Sequence, residues 1–429
     1  MSGFPLTDAQ TAIWLHHVFL PDKPICNTGQ VVCINGPVDT DLFRRAITAT
    51  LEEADALRIR VGIEAGRSYQ EACTVGTSPV DFADFSIESD PLSEAQAWID
   101  REFWTTIPWT QFPLFRFVLL KLSNERFLWL QKHHHLIVDA TGGQLLTKRV
   151  ADAYEALLAG REPPPSNAAR FCAIVDAERD YGNSVRFKDD GAYWLERFAD
   201  LPTPVIEGDR LNSERSRSGR PARIDFHIEK TVWDSLERLA KANRSTAFKA
   251  VIVLIYLAFS RLYGVEDLGF GIPLANRTGK FKQTIGLFSH VMPFRLRLQG
   301  DTPFRNALAH AGELLTRDYA HSRYPISLLT RKLQARHGRI PLYDVTVNYV
   351  PTEYDFGFAG AALSATNLSR GFFSPWAVAI TDFGDRGLNV AVTYDQGLIR
   401  DAEATRFRDS FESLLRNGVA DGDRPIASM

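Results

Sequence analysis

The stretch Leu130–Leu146, LQKHHHLIVDATGGQLL, sets three histidines beside an aspartate and two glycines. His133, His134 and His135 are followed by Asp139, Ala140, Gly142 and Gly143. Two chemistries suit such a set: metal ligation, or acid–base work by imidazole, whose ordinary pKa lies near neutrality. The preceding residues, RFLWLQKHHH, read as a strand, so successive side chains point to opposite faces. His133 and His135 then share a face and His134 points away, so the three do not converge on one ion. A metal would need further ligands, and the sequence offers no second His/Cys cluster, so no metal site is read. One plain alternative is a single core histidine with the others exposed. The residues that follow favour chemistry instead. Asp139 in the turn would hold the loop, and the small residues Ala140, Gly142 and Gly143 let backbone approach a ligand. A helix is expected over Gln144–Leu157, its first amides facing the same region. A histidine so placed suits general-base work on an amine or hydroxyl. No GxSxG elbow is present and no cysteine lies near the histidines in sequence. A single base acting directly on an acceptor is therefore suggested, rather than a covalent acyl-enzyme.

These residues need elements to position them, and both periodicities are present. GQVVCING, FRFVLLKL, RFLWLQKH, ARIDFHIE, LYDVTVNYV and LNVAVTYD read as strands. DTDLFRRAITATLEEA, GGQLLTKRVADAYEALLAG, KTVWDSLERLAKAN and DAEATRFRDSFESLLRN carry apolar residues three and four apart and read as helices. DDGAYWLERFADLP also looks helical. Ala250–Phe259, AVIVLIYLAF, is too short for a bilayer, which takes about 20 residues. It reads as a buried core helix, with Ser245 or Thr246 as N-cap. Strands and helices alternate without a steady βαβ repeat, so a two-lobed α/β or α+β sandwich fits better than a doubly wound sheet. GREPPPSNAAR (Gly160–Arg170) reads as a linker and EGDRLNSERSRSGRPAR (Glu207–Arg223) as an exposed loop, with a lobe boundary expected near residue 175.

The 429 residues allow two or three domains at roughly 100–200 residues each. A net charge of −3 gives no basic field, which argues against nucleic acid or an anionic membrane as main partner. Four scattered cysteines and no signal-peptide pattern point to a reduced, cytoplasmic compartment.

HHLIVDA (His134–Ala140) resembles the HHxxxDG motif of the condensation domains of nonribosomal peptide synthetases, which share the chloramphenicol-acetyltransferase-like fold. Further stretches match in the family's order: LTDAQTAIW (Leu6–Trp14), DALRIRV (Asp55–Val61), GIPLANR (Gly271–Arg277), IGLFSHVMPFR (Ile285–Arg295), LYDVTVNY (Leu342–Tyr349) and LNVAVTYDQGLI. The resemblance covers essentially the whole chain. It implies an N-terminal lobe over 1–175 and a C-terminal lobe over 176–429, set in a V with a tunnel between them. Carrier proteins would bring an acyl thioester and an amine on phosphopantetheine arms, and a monomer with no cofactor or metal of its own is expected. By this resemblance His135 is the catalytic histidine, deprotonating or orienting the amine, and His134 is a packing or hydrogen-bonding residue beside it. Asp139 forms a structural ion pair with Arg277, or alternatively Arg58. Ala140, Gly142, Gly143, Asn348 and His290 are expected near the substrates. Ala140 stands where the family has glycine, keeping its N–H for an oxyanion while narrowing the site by a methyl group.

RHGRI (Arg336–Ile340) is superficially similar to the EGHGRE stretch of epimerization domains, but it lies after the IGxF-like motif and lacks the glutamate. Heterocyclization domains replace the histidines with aspartates. Amide-forming condensation is the expectation that remains. TDAQTAIW and DALRIRV look most like the enterobactin- and vibriobactin-type domains. If Met1 is the natural start, the donor arrives in trans. Transfer to a free amine or alcohol, and a silent carrier-recruiting domain, are the alternatives. His16 and His17 read as ordinary helix residues.

Overall fold

The structure is a computed structural model describing residues 3–19, 24–74, 80–206, 221–338, 341–351, 356–369, 374–382 and 387–429. It divides into two compact units. The first comprises residues 1–184, 275–289 and 353–371, and the second residues 185–274, 290–352 and 372–429.

The first unit is built on a five-stranded sheet in the order β12-β2-β7-β6-β5. Its strands are β2 (Asn27–Asn35), β5 (Asp81–Asp84), β6 (Phe115–Ser123), β7 (Arg126–His134) and β12 (Ala362–Asn367). All neighbours are antiparallel except β5 and β6. A three-stranded sheet, β1 (Phe4–Pro5), β4 (Arg67–Ala72) and β3 (Ile59–Glu64), accompanies it. The strict alternation of β7 decides its packing. Phe127 and Trp129 join the core beneath helices α2 (Thr40–Glu53) and α4 (Ala140–Leu158), while Leu128 and Leu130 pack with Ile99 of α3 (Pro91–Phe103). Trp129 meets Phe43 of α2 edge-on, the ring centroids 5.2 Å apart. Helix α1 (Asp8–Phe19) holds His16 and His17, whose side chains lie outside the described set.

The second unit has a six-stranded sheet in the order β10-β9-β11-β13-β14-β8. Its strands are β8 (Ala222–Ile228), β9 (Asp267–Leu274), β10 (His290–Arg297), β11 (Val345–Pro351), β13 (Trp376–Asp382) and β14 (Leu388–Tyr394). Its helices include α6 (Val185–Arg197), α7 (Lys230–Ala242), α8 (Ala247–Tyr263), α9 (Phe304–Ala320), α10 (Ile326–His337) and α11 (Asp401–Ala420). The all-apolar stretch of α8 is buried from Ala250 to Phe259, and the Thr246 side chain caps it by accepting from the Lys249 N–H. Among the described residues no single helix is long and apolar enough to cross a membrane; α7 and α8 reach the required length only together, bent by 102°.

The boundary expected near residue 175 moves to Ser184/Val185. Helix α5 (Ala173–Gly182) buries Val175 and Tyr181 and belongs with the first unit. Two later segments, 275–289 and 353–371, also fold into the first unit, so a single cut does not separate the two. Of the loop expected over Glu207–Arg223, residues 207–220 lie outside the described set, while Ala222 and Arg223 begin β8. The Arg336–Ile340 stretch ends α10, and its last two residues lie outside the described set.

Candidate active site

The histidines sit where β7 ends. The backbone N–H of His135 donates to the Cys26 carbonyl at 2.8 Å, and the chain then turns through Leu136–Val138 into α4. Every end of this turn is tied. The buried amide of Gln10 donates to the Leu136 carbonyl at 3.0 Å. The Leu136 N–H donates to Nδ1 of His134 at 3.2 Å, and the Asp139 N–H donates to the Gly286 carbonyl at 3.3 Å.

Helix α4 starts at Ala140, four residues before the sequence pattern suggested. The weak helix formers Ala-Thr-Gly-Gly are overridden by Asp139, an N-cap whose Oδ1 accepts from the Gly142 N–H at 2.8 Å. Its Oδ2 accepts three more donors: Nη1 of Arg277 at 2.8 Å and the N–H groups of Phe288 and Ser289 at 2.9 Å each. Arg277 also donates through Nη2 to the Gly286 carbonyl and lies 4.7 Å from the Phe288 ring. The two side chains are 4% and 3% exposed. Asp139 is thus a buried junction joining α4 to the 275–289 segment, and it does not meet solvent. Arg58 takes no part. It ends a short 3-10 turn over Asp55–Arg58, its Nε is buried without a partner, and the Asp139 oxygens are already filled.

His135 is half-buried, and its Nδ1 lies 2.9 Å from the Val138 carbonyl. A carbonyl only accepts, so Nδ1 carries the proton and Nε2 is the basic nitrogen. Burial pushes the ring's pKa below the ordinary histidine value, with the Val138 bond and Asp139 opposing. The ring is neutral at neutral pH. His133, 2% exposed, is held down to about 3 by burial, and its Nε2 is buried without a partner. His134 is 1% exposed and shapes the turn by accepting the Leu136 N–H at Nδ1, a buried hydrogen-bonding position rather than one open to substrate.

Gly142 also departs from expectation. A Cβ there would stand 2.7 Å from Cγ2 of Val138, 2.8 Å from the Gly286 carbonyl oxygen and 3.1 Å from Nη2 of Arg277. Its missing side chain makes room for the ion pair rather than for a ligand. Gly143 is buried facing Gln30, and Ala140 is exposed on the first turn. Asn348 lies half-buried on β11 in the second unit, and His290 opens β10 there, its Nε2 2.6 Å from the Ser322 carbonyl oxygen.

Sequence reasoning missed two neighbours. Gln131 carries no spacing signal, whereas Gln10 lies in the LTDAQTAIW stretch that matched the family's order. Cys26 is far from the histidines in sequence and beside them in the fold. Its thiol is 2% exposed, lies 4.0 Å from the Ile13 carbonyl and is pushed up to about 12 by burial, so it offers no thiolate.

Mixed α/β units thus carry a strand-end imidazole beside a buried, unreactive thiol. The family model for the Condensation domain matches residues 2–429, and the chain belongs to this family. It is 30% identical to isonitrile lipopeptide synthase of Streptomyces coeruleorubidus, over 99% of this chain and 29% of that protein. It is 24% identical to enterobactin synthase component F of Escherichia coli O157:H7, over 93% of this chain and 31% of that protein. The chain therefore spans about a third or less of the length of these relatives. Among solved structures, the starter condensation domain of rhizomide synthetase, as a mutant in complex with C8-CoA, superposes with a TM-score of 0.89 at 25% identity, covering 100% of this chain and 97% of that one.

Proposed function

We propose that this chain joins an acyl group, presented as a thioester on the phosphopantetheine arm of a donor carrier protein, to an amine on an acceptor carrier protein. The amine nitrogen attacks the thioester carbonyl, the C–S bond breaks, and the amine proton passes by way of Nε2 of His135 to the departing thiolate. The observation that carries this reading is the tautomer fixed by the Nδ1 bond to Val138, which makes Nε2 the acceptor. An α-amine (pKa about 7.7–8.0) is a weaker acid in its ammonium form than imidazolium, so orientation and desolvation of the amine contribute more than base strength. The Ala140 N–H, first of α4, is the donor offered to the oxyanion. Gly142 and Gly143 N–H groups are taken by Asp139.

A medium-chain fatty acyl donor is the preferred class. The likeness to a lipopeptide synthase and to a domain bound to C8-CoA supports it. Four free cysteines fit work in a reducing cytoplasm. The test is intact-protein mass spectrometry of an amine-loaded carrier after exposure to octanoyl-, hydroxyaryl- and aminoacyl-loaded donor carriers. The octanoyl adduct is expected to accumulate fastest. Product formed as fast with free amine and no acceptor carrier would overturn the carrier requirement.

A further inference from the structure

A buried polar cluster lies between β7 and α4, inside an otherwise apolar interface. Gln131 and Thr147 are 0% exposed, flanked by Trp129, Leu146 and Val150. Nε2 of Gln131 donates to Oγ1 of Thr147 at 2.8 Å, and its Oε1 accepts from Nε2 of Gln30 at 3.0 Å; the same Gln30 nitrogen also lies 3.1 Å from Oγ1 of Thr147 and 3.3 Å from the Gly143 carbonyl oxygen. Oγ1 of Thr147 donates to the Gly143 carbonyl at 3.0 Å, and the Gly143 N–H donates to the Asp139 carbonyl at 2.9 Å. A continuous path of hydrogen bonds thus runs from the histidine strand through the first turn of α4 to the N-cap.

From this geometry we propose that Gln131 is a positioning residue for His135, acting through Thr147 on the first turn of α4. The proposal rests on the role of His135 given above. Apolar contacts between a sheet and a helix are non-directional and tolerate sliding along the helix axis, whereas side-chain hydrogen bonds fix one register. The turn Leu136–Val138 is short and tied to β7 at one end and α4 at the other. An axial slip of the helix therefore moves the Val138 carbonyl relative to Nδ1 of His135, the bond that fixes the tautomer. The Asp139–Arg277 junction anchors the same helix end to the 275–289 segment. Gln131 and Gln30 together tie that helix end to the sheet bearing the histidine, Gln131 through Thr147 and Gln30 through Thr147 and the Gly143 carbonyl, with Gln131 holding the Gln30 amide in place.

Two variants separate positioning from mere stability. Gln131→Leu takes from Oγ1 of Thr147 one of its two amide donors and from Gln30 its Oε1 acceptor. Gln131→Leu combined with Thr147→Val replaces both partners by apolar groups and leaves Nε2 of Gln30 the Gly143 carbonyl as acceptor, so it costs less stability than the single variant. The double variant is expected to recover most of the wild-type melting temperature, while kcat stays about tenfold to a hundredfold down with the donor KM within threefold. In 15N-histidine-labelled protein, the His135 signals should move from the Nδ1–H form toward a tautomer mixture, a readout that needs no turnover. The double variant keeping wild-type kcat and the Nδ1–H form would overturn the proposal, whatever its melting temperature. A wild-type protein with the Nδ1–H tautomer but no acyl transfer would count against the function of the site, and the shift of tautomer in the variants would still decide the role of Gln131.

Discussion

Replacing Arg277 or Asp139 tests the junction that holds the histidine loop. The Asp139 carboxylate is 3% exposed and accepts four hydrogen bonds, one of them from the guanidinium. Arg277→Met leaves that charge buried with backbone donors alone, and it removes the Nη2 bond to Gly286 and the contact with Phe288. Breaking one side of a buried pair costs about 3–5 kcal/mol. Asp139→Ala strands the guanidinium and also removes an N-cap, itself worth about 1 kcal/mol. Once either partner is gone, losing the other costs little more. The double variant should therefore fall short of the sum by about 3 kcal/mol or more. Urea unfolding, followed on the transition of the first unit, gives these values. Single effects that add to within about 0.5 kcal/mol would refute the junction as a coupled element.

Other outcomes follow from single positions. Gly142→Ala should lower the melting temperature although alanine is the better helix former by about 1 kcal/mol, because its Cβ would stand 2.7 Å from Val138 and 2.8 Å from the Gly286 oxygen; a rise would contradict the close approach. His133 is held down to about 3 by burial, against about 6.5 unfolded, so the unfolded chain binds the extra proton between these values. Stability should fall with decreasing pH by up to about 1.4 kcal/mol per unit in that window. His133→Phe should flatten the slope in urea midpoints compared at pH 6.5 and 5, and an unchanged slope would count against a neutral buried ring. Asp344 has the opposite sign: 3% exposed and raised to about 6 by burial, it favours folding below about pH 3.9 and loses that contribution as pH rises to about 6. Asp344→Asn keeps an oxygen for the Val205 and Ile206 N–H groups. It should match wild type at pH 4 and exceed it at pH 8 by roughly 2–3 kcal/mol, and equal stability at both would contradict the assignment.

Local patterning carried much of the fold. The alternation of RFLWLQKHH gave β7 with its two faces, and the three-four spacing gave α2, α4, α7 and α11 close to their observed ends. β12 had no such signal: ALSATN is largely exposed and becomes a strand only by pairing with β2, more than 300 residues away in sequence. The unit boundary was misplaced for the same reason, since contacts distant in sequence return 275–289 and 353–371 to the first unit. At the site, the residue types were legible and the packing was not. Gly142 read as room for a ligand, and the space its side chain would fill is taken by Val138, the Gly286 carbonyl and Arg277. A better reading of α4 would have noticed Thr147, a polar residue among the core-facing positions Leu146, Val150 and Tyr154.

The central claim is that Nε2 of His135 takes part in acyl transfer. Single-turnover mass spectrometry of His135→Ala, with an octanoyl-loaded donor and an amine-loaded acceptor carrier, tests it most directly. Loss of a positioned base predicts a fall of roughly 10²–10⁴-fold in the rate of amide formation, with the fold intact. Amide formed by His135→Ala at the wild-type rate would contradict the account.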